Sequence, residues 1–124
     1  MPSLQSHHVV TVACVALLVV SGCLETATVS SEDARTRALA AEEQYLRDRL
    51  ENASCVEGWG TNSYTGVQEE ATVVNRTADG VVVDVVHPFW YGTATVDADG
   101  RSEATYLVTD DETRRLRGTD VSPC

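Results

Sequence analysis

The sequence predicts an α+β fold, in which one N-terminal helix packs on an antiparallel β-meander of four to five strands. Apolar residues recur at helical spacing up to about Ala53, and from Gln68 onward the period changes to the alternation typical of strands. Two pairs that favour hairpin turns, Asp79-Gly80 and Asp99-Gly100, lie between β-rich runs. We therefore expect one α+β domain over residues 32–124.

An export signal is expected before this domain. The run from Val9 to Val20 has the length of the apolar part of a signal peptide and is too short to span a bilayer comfortably. Val20-Ser21-Gly22-Cys23 follows and resembles a lipobox. The resemblance implies that residues 1–22 are removed and that Cys23 carries two lipid chains, enough for stable anchoring. An ordinary secreted protein cut near Cys23 is the alternative.

A tether and then a helix should follow. Residues 23–31 show no apolar periodicity, which is typical of a short linker. The serines and acids of Ser30–Asp33 favour a helix N-terminus. We expect one face of this helix to pack on the sheet, with Ala34, Ala38, Leu39, Ala41, Tyr45, Leu46, Leu50 and Ala53. Glu43 and Arg47 form an i,i+4 pair on it, worth a few tenths of a kcal/mol.

The pairing register of the first strands depends on which residues form the turns. Three glycines around two aromatics in Gly58–Gly66 indicate irregular structure or a weak first strand. If Asp79-Gly80 is a two-residue loop, Val74 faces Val85 and both lie on the packing face with Val81 and Val83. Asn75 then lies on the solvent face.

The last strands follow from the second Asp-Gly pair. A turn at Asp99-Gly100 sets Tyr91 against Val108 and Thr95 against Ala104. An acidic turn at Asp110–Glu112 then precedes a short edge strand, Thr113–Arg117, whose arginines suit an edge. An alternative interpretation of Asp97–Gly100 is the start of a calcium loop, but the later ligands of such a loop are missing, so we expect no metal there.

Cys55 and Cys124 are the only thiols left once Cys23 is lipidated and the signal is removed. Outside the cell they can form a disulfide, which would contribute roughly 4 kcal/mol by closing a loop of about 70 residues in the unfolded chain. Free thiols or intermolecular pairing are the alternatives. A metal site is not expected, because His87 is the only histidine after residue 22.

Two sequons for N-glycosylation begin at Asn52 and Asn75. They gain meaning only if the protein is exported. Asn75 is expected on the solvent face, which permits a glycan, whereas Asn52 lies near the end of the helix.

Five aromatic residues form the candidate binding surface: Trp59 and Tyr64 in the glycine-rich loop, and Phe89, Trp90 and Tyr91 in the strand region. Exposed, they could stack on a ligand or contact a partner protein. The alternative is that they are core, since a domain with so few aromatics must bury some of them.

The charge of the chain restricts its partners. Nineteen acids stand against nine arginines, with no lysine, for a net charge of −10, and all of this charge follows Cys23. Such a surface repels nucleic acids. The Lys-free, acid-rich composition resembles proteins of extremely halophilic archaea, whereas a Lys-poor, high-GC bacterium is the alternative.

Together with the Phe89–Tyr91 segment and the terminal Ser122-Pro123-Cys124, these features are similar to small lipoproteins of haloarchaea. That resemblance implies no particular activity. Our leading hypothesis is a lipid-anchored cell-surface protein that acts as a binding or interaction module at the outer face of the membrane, with an extracellular protein or small ligand as partner and no cofactor. The alternative is a small-ligand-binding domain with an aromatic-rimmed pocket between helix and sheet. An enzyme using His87 as its general base is a third hypothesis, which we do not expect because no serine lies in a nucleophile elbow and the carboxylates show no spacing that selects a pair.

Overall fold

The computed structural model describes residues 29–124 as one helix packed on an antiparallel sheet of five strands, which confirms the predicted α+β architecture. The elements are α1 (Ser31–Glu51), β1 (Gly58–Gly60), β2 (Glu70–Arg76), β3 (Val81–Gly92), β4 (Asp97–Val108) and β5 (Thr113–Gly118). The strand order is β1, β3, β4, β5, and β2 pairs with the first half of β3, next to β1. The predicted signal peptide, residues 1–22, and the lipidation site Cys23 lie outside the described residues.

The helix forms where the sequence predicts it. Ser30 caps it, since its hydroxyl accepts a hydrogen bond of 3.1 Å from the Asp33 amide, and two acids lie in its first turn. Its buried residues recur every four positions and are Ala34, Ala38, Glu42, Leu46 and Leu50. The folded domain starts slightly earlier than expected, because Val29, within the predicted tether, is only 6% exposed and packs in the core.

The turn between β2 and β3 differs from the prediction. It spans four residues, Thr77–Gly80, and is closed by a 2.8 Å bond from the Thr77 amide to the Gly80 carbonyl. Val81 therefore pairs with Arg76, and a bulge after Val73 shifts the register. As a result Val74 is 51% exposed instead of facing the core, and Val73 packs there in its place. The predicted two-residue loop and its register are wrong.

The second predicted turn is also wrong. Asp99-Gly100 lies inside β4, and the chain reverses earlier, at Thr93–Val96. Tyr91 consequently pairs with Ala98 and not with Val108. The hairpin of β3 and β4 is thus longer than expected, with 12 residues in each strand.

Threonine hydroxyls explain both differences. Thr77, Thr93 and Thr109 each begin a turn, and each hydroxyl accepts hydrogen bonds from the amides two and three residues later, at 3.0 to 3.3 Å. A side chain that satisfies two turn amides stabilises the reversal directly. The predicted acidic turn and the last strand, in contrast, are confirmed, with Thr109–Glu112 as the turn before β5.

The core between α1 and the sheet has two parts. The first is aliphatic apart from one tyrosine and contains Val29, Ala34, Ala38, Val81, Val83, Val85, Ala104, Tyr106 and Val108. The second contains Leu46, Leu50 and Val121, with Tyr45, Trp59, Phe89 and Tyr91 packed against them. We call the corresponding ends of the sheet the valine end and the aromatic end.

β3 connects the two ends. At the valine end it begins at Val81, beside the turns Thr77–Gly80 and Thr109–Glu112. It ends at Gly92, which pairs with β1 and Asp97 at the aromatic end. Twelve residues in extended conformation separate the ends by about 36 Å.

The C-terminus is fastened to the aromatic end. Cys55 and Cys124 form the predicted disulfide, with their Cα atoms 5.8 Å apart. Arg49 of α1 donates to the Val121 carbonyl at 2.9 Å and pairs with Asp120. Within residues 29–124 no helix is both long and apolar enough to cross a bilayer.

Candidate binding site

An indole lying over two glycines forms the base of the candidate site. β1 is Gly58-Trp59-Gly60, and its pairing with β3 sets Gly60 opposite Trp90. A Cβ on Gly60 would overlap the Trp90 indole and lie 2.7 Å from Asn62 Oδ1, so only glycine fits there. Trp90 Nε1 donates to that same Asn62 oxygen at 2.9 Å. The indole is therefore held on the outer face of the sheet, the face that α1 does not cover.

Tyr64 completes an aromatic pair. Its ring centroid lies 5.6 Å from that of Trp90, the two planes are tilted by 57°, and Tyr64 is 74% exposed. Beside the pair is a cleft of about 310 Å³, lined by Tyr64, Trp90, Tyr91, Asp97, Ala98 and Asp99. We call this the Trp90 cleft. Its volume is at the lower limit for small-molecule sites.

The predicted aromatic surface is thus divided between two roles. Trp59, Phe89 and Tyr91 pack against Leu46 and Leu50 on the helix side of the sheet. Phe89 and Tyr91 stack with centroids 6.3 Å apart. Tyr64 and Trp90 face the cleft, and Tyr91 contributes to both. The lining of the Trp90 cleft includes no residue of α1, so it lies outside the helix and sheet interface where an aromatic-rimmed pocket was predicted.

Two carboxylates lie beside the aromatic pair. Asp99 pairs with Trp90 across the β3 and β4 ladder, and Asp97 pairs with Gly92. Within residues 29–124 neither carboxylate forms an ion pair, although Arg residues pair with Asp33, Glu43, Glu103 and Asp120 elsewhere on the surface. The described residues contain no group of three or more His, Cys, Asp or Glu that could hold a metal ion. Sequence reasoning placed both aspartates in a turn and did not connect them with Trp90.

A buried ionic cluster was also missed. Glu42, on the packing face of α1, is 0% exposed, and its carboxylate accepts bonds from Arg115 Nε at 3.0 Å and from the Tyr106 hydroxyl at 2.6 Å. Arg115 also lies over the Tyr45 ring, 3.9 Å from its centroid. The sequence signal was available, since a glutamate interrupts the four-residue spacing of Ala38 and Leu46 and a buried charge requires a partner.

The electrostatics of this cluster follow from burial. Desolvation, then the hydrogen bond and charge of Glu42, raise the pKa of Tyr106 well above its usual value. Burial alone lowers the pKa of Arg115, but the hydrogen bond and charge of Glu42 outweigh it, so the pKa is raised. Tyr106 and Arg115 thus stay protonated and hold the carboxylate in place. The cluster is closed to ligands and acts as a clamp between α1 and the sheet.

His87 is similarly enclosed. It is 2% exposed, with Nδ1 3.0 Å from the Pro88 carbonyl and Nε2 3.3 Å from Glu69 Oε2. The imidazole has no open approach for a substrate. His87 is therefore a buried residue whose two ring nitrogens both lie beside oxygen atoms of the chain.

The two predicted glycosylation sites are both on the surface. Asn52 is the C-cap of α1, where its side chain donates to the Asp48 carbonyl at 2.8 Å. Asn75 is exposed beside the bulge in β2, opposite Val82. Their modification stays a prediction.

Comparison with family models, curated proteins and solved structures finds no match to this chain.

Proposed function

We propose that this chain is a lipid-anchored protein of the cell surface, whose domain presents a binding site away from the membrane. The anchor is the lipobox-like segment ending at Cys23, and the site is the Trp90 cleft. Cys23 lies outside the described residues, so its role depends on the sequence pattern.

The supporting observation is that the chain enters the domain at the end opposite the cleft. Val29 packs at the valine end, where its carbonyl accepts a bond of 2.9 Å from Arg76. Val29 is six positions after Cys23, and a chain of that length can extend at most about 20 Å. Trp90 lies toward the other end of β3, nine positions and about 30 Å from Val81. An anchor at Cys23 therefore holds the valine end close to the bilayer and directs the cleft outward.

The two natural tryptophans, Trp59 and Trp90, allow a direct test, because both lie at the aromatic end. The full chain, expressed with its signal segment, is extracted from membranes and reconstituted into vesicles containing spin-labelled lipids. Its mass should begin at Cys23 and include lipid. Lipid quenchers should leave the tryptophan emission unchanged, whereas aqueous acrylamide quenches the more exposed part of it.

A positive control uses the exposed turn at the valine end. In Ala78→Trp the added indole lies next to the membrane, so the lipid quencher should remove most of its emission. A Cys23→Ser variant should leave the membrane fraction. Strong lipid quenching of the natural tryptophans would overturn the proposed orientation, and an unlipidated mass would overturn the anchor.

The alternative of a small-ligand-binding domain has one specific observation in its favour. The Trp90 cleft offers two aromatic rings in a concave setting, although it lies outside the helix and sheet interface. The two functions are compatible, since an anchored module can bind a small ligand.

A further inference from the structure

We propose that the Trp90 cleft binds a small organic cation, with a substituted ammonium group against the aromatic rings and its charge beside Asp97 and Asp99. This assignment depends on the proposed function, because it names the ligand of the site that the domain presents. The lining of the cleft, its rigidity and its size all favour such a ligand.

The charge of the lining has one sign. Its two ionised groups are Asp97 and Asp99, and no basic residue lines the cleft. Within residues 29–124 both carboxylates are without an ion-pair partner, while Arg101, nearby on β4, pairs with Glu103 at 3.3 Å. A cation in the cleft would compensate two charges that the domain itself leaves uncompensated.

The aromatic groups favour the same chemistry. The faces of tryptophan and tyrosine attract ammonium groups, which gain more when they are partly desolvated. Trp90 and Tyr64, tilted by 57°, present two differently oriented surfaces to one volume. A neutral sugar would also stack on these rings, but it would leave both carboxylates uncompensated as it displaced their water.

The site is formed before any ligand arrives. The Trp90 indole packs against Gly60, which has no side chain to displace it. Its Nε1 donates a hydrogen bond of 2.9 Å to Asn62 Oδ1. Ordering the platform therefore costs a ligand little entropy. Tyr64, which is 74% exposed, is the one ring free to adjust.

The size of the cleft selects a small ligand over a protein segment. Its volume of about 310 Å³ accommodates a single group of the size of choline. A metal ion is the wrong ligand, because two carboxylates supply too few oxygen ligands for calcium.

The test uses the full lipidated chain in maltoside micelles and follows the tryptophan emission. The probes are choline and its neutral isostere, 3,3-dimethylbutan-1-ol, which differ in charge and not in shape. We expect choline to bind at least about tenfold more tightly than the isostere. Equal affinities would overturn the assignment to a cation while leaving an apolar binding site, and hence the proposed function, intact.

Matched variants locate the effect. The pair Asp97→Asn and Asp99→Asn should weaken choline binding about tenfold, and Tyr64→Ala should do so without unfolding the domain, since that ring is exposed. The control pair Asp79→Asn and Glu112→Gln removes the same charge from exposed positions at the valine end and should leave binding unchanged. An equal loss in both pairs would overturn the site, because only the net charge would then matter.

A third probe tests the source of the cation. An acetylated, amidated Gly-Arg-Gly peptide carries a guanidinium on a protein-like segment. We expect it to bind more weakly than choline, because a cleft of about 310 Å³ cannot enclose both the guanidinium and the peptide backbone that carries it. Tighter binding of the peptide would overturn the assignment to a small cation and give the site to a protein partner. The lipid-quenching experiment is independent of all these outcomes.

Discussion

At the valine end the helix meets the sheet through small aliphatic side chains, whereas at the aromatic end the same helix meets Trp59, Phe89 and Tyr91 and is fastened by a disulfide. The valine end is built from residues that repeat at regular spacing. The aromatic end is built from contacts between distant parts of the chain, such as Asn62 with Trp90.

This difference separates two tasks. The valine end only has to fold, and aliphatic packing serves that purpose with few polar groups. The aromatic end also keeps the Trp90 indole at the surface in a fixed position, and apolar packing alone would not do this because it would bury the ring. The disulfide and the glycines of β1 supply the needed constraint without covering Trp90.

The largest expected effect comes from the clamp of Glu42, Arg115 and Tyr106, which joins α1 to the sheet. Glu42→Ala leaves Arg115 and Tyr106 without their shared acceptor, and breaking a buried pair of this kind costs about 3–5 kcal/mol. The measurement is the free energy of unfolding in urea. Glu43→Ala, one position along and partly exposed, is the matched control and should cost under about 1 kcal/mol.

Replacing the whole clamp gives the converse result. Glu42→Leu combined with Arg115→Leu and Tyr106→Phe should recover most of the stability, because no buried charge or hydroxyl is then left without a partner. A Glu42→Ala protein as stable as the wild type would show that α1 and the sheet are joined by apolar packing alone.

The disulfide should have the next largest effect, and only at one end. Cys55→Ser with Cys124→Ser removes a link across 69 positions, worth about 2–4 kcal/mol in proteins of this size. Hydrogen exchange should show lost protection at β1 and Val121 and retained protection at Val83 and Val85. A uniform loss of protection along the sheet would instead mean that the valine end and the aromatic end unfold as one unit.

Sequence reasoning succeeded where the signals are local. Ser30 and the acids after it give the helix start, and alternation gives the inward-facing Val81, Val83 and Val85. The disulfide followed from there being two thiols left to pair. The helix start and the inward-facing valines can be recognised within single segments, and the disulfide follows because two thiols remain. None of these predictions requires the register between strands.

The turns and the cleft could not be predicted, for related reasons. Asp-Gly pairs are the stronger hairpin signal in the sequence, yet Thr77 and Thr93 begin the turns because the hydroxyl of each accepts hydrogen bonds from two amides. Moving the second turn to Thr93 places Asp99 beside Trp90. A site made by cross-strand neighbours is only as predictable as the register, and the register depends on the turns.

The glycines of β1 provide a matched pair for the aromatic end. Gly60→Ala forces its Cβ into the Trp90 indole, so we expect a loss of about 1–3 kcal/mol and a displaced ring. In Gly58→Ala the new Cβ lies at an ordinary 3.7 Å from the same indole, and the stability should change by less than about 1 kcal/mol. Unfolding free energies and the Trp90 indole N–H resonance measure both. Equal effects would mean that β1 tolerates no side chain for reasons unrelated to Trp90.

The smallest expected effect is a pH dependence at the aromatic end, carried by Glu43. The hydrogen bond from Arg47, helped by one of 3.2 Å from Thr61, outweighs partial burial and lowers the pKa of Glu43 below 4.5. A lowered folded-state pKa contributes stability above the unfolded value, and this stability is lost as the pH falls through the folded value. The unfolding free energy of wild type should thus exceed that of Glu43→Gln by under about 1 kcal/mol at neutral pH, since the pair is partly exposed, and the difference should disappear as the pH falls through the lowered pKa of Glu43. Thr61→Val should keep most of the pH dependence because Arg47 is the main cause. If the unfolding free energies of wild type and Glu43→Gln fell in parallel with decreasing pH, the charge of Glu43 would contribute nothing to the contact between α1 and Thr61.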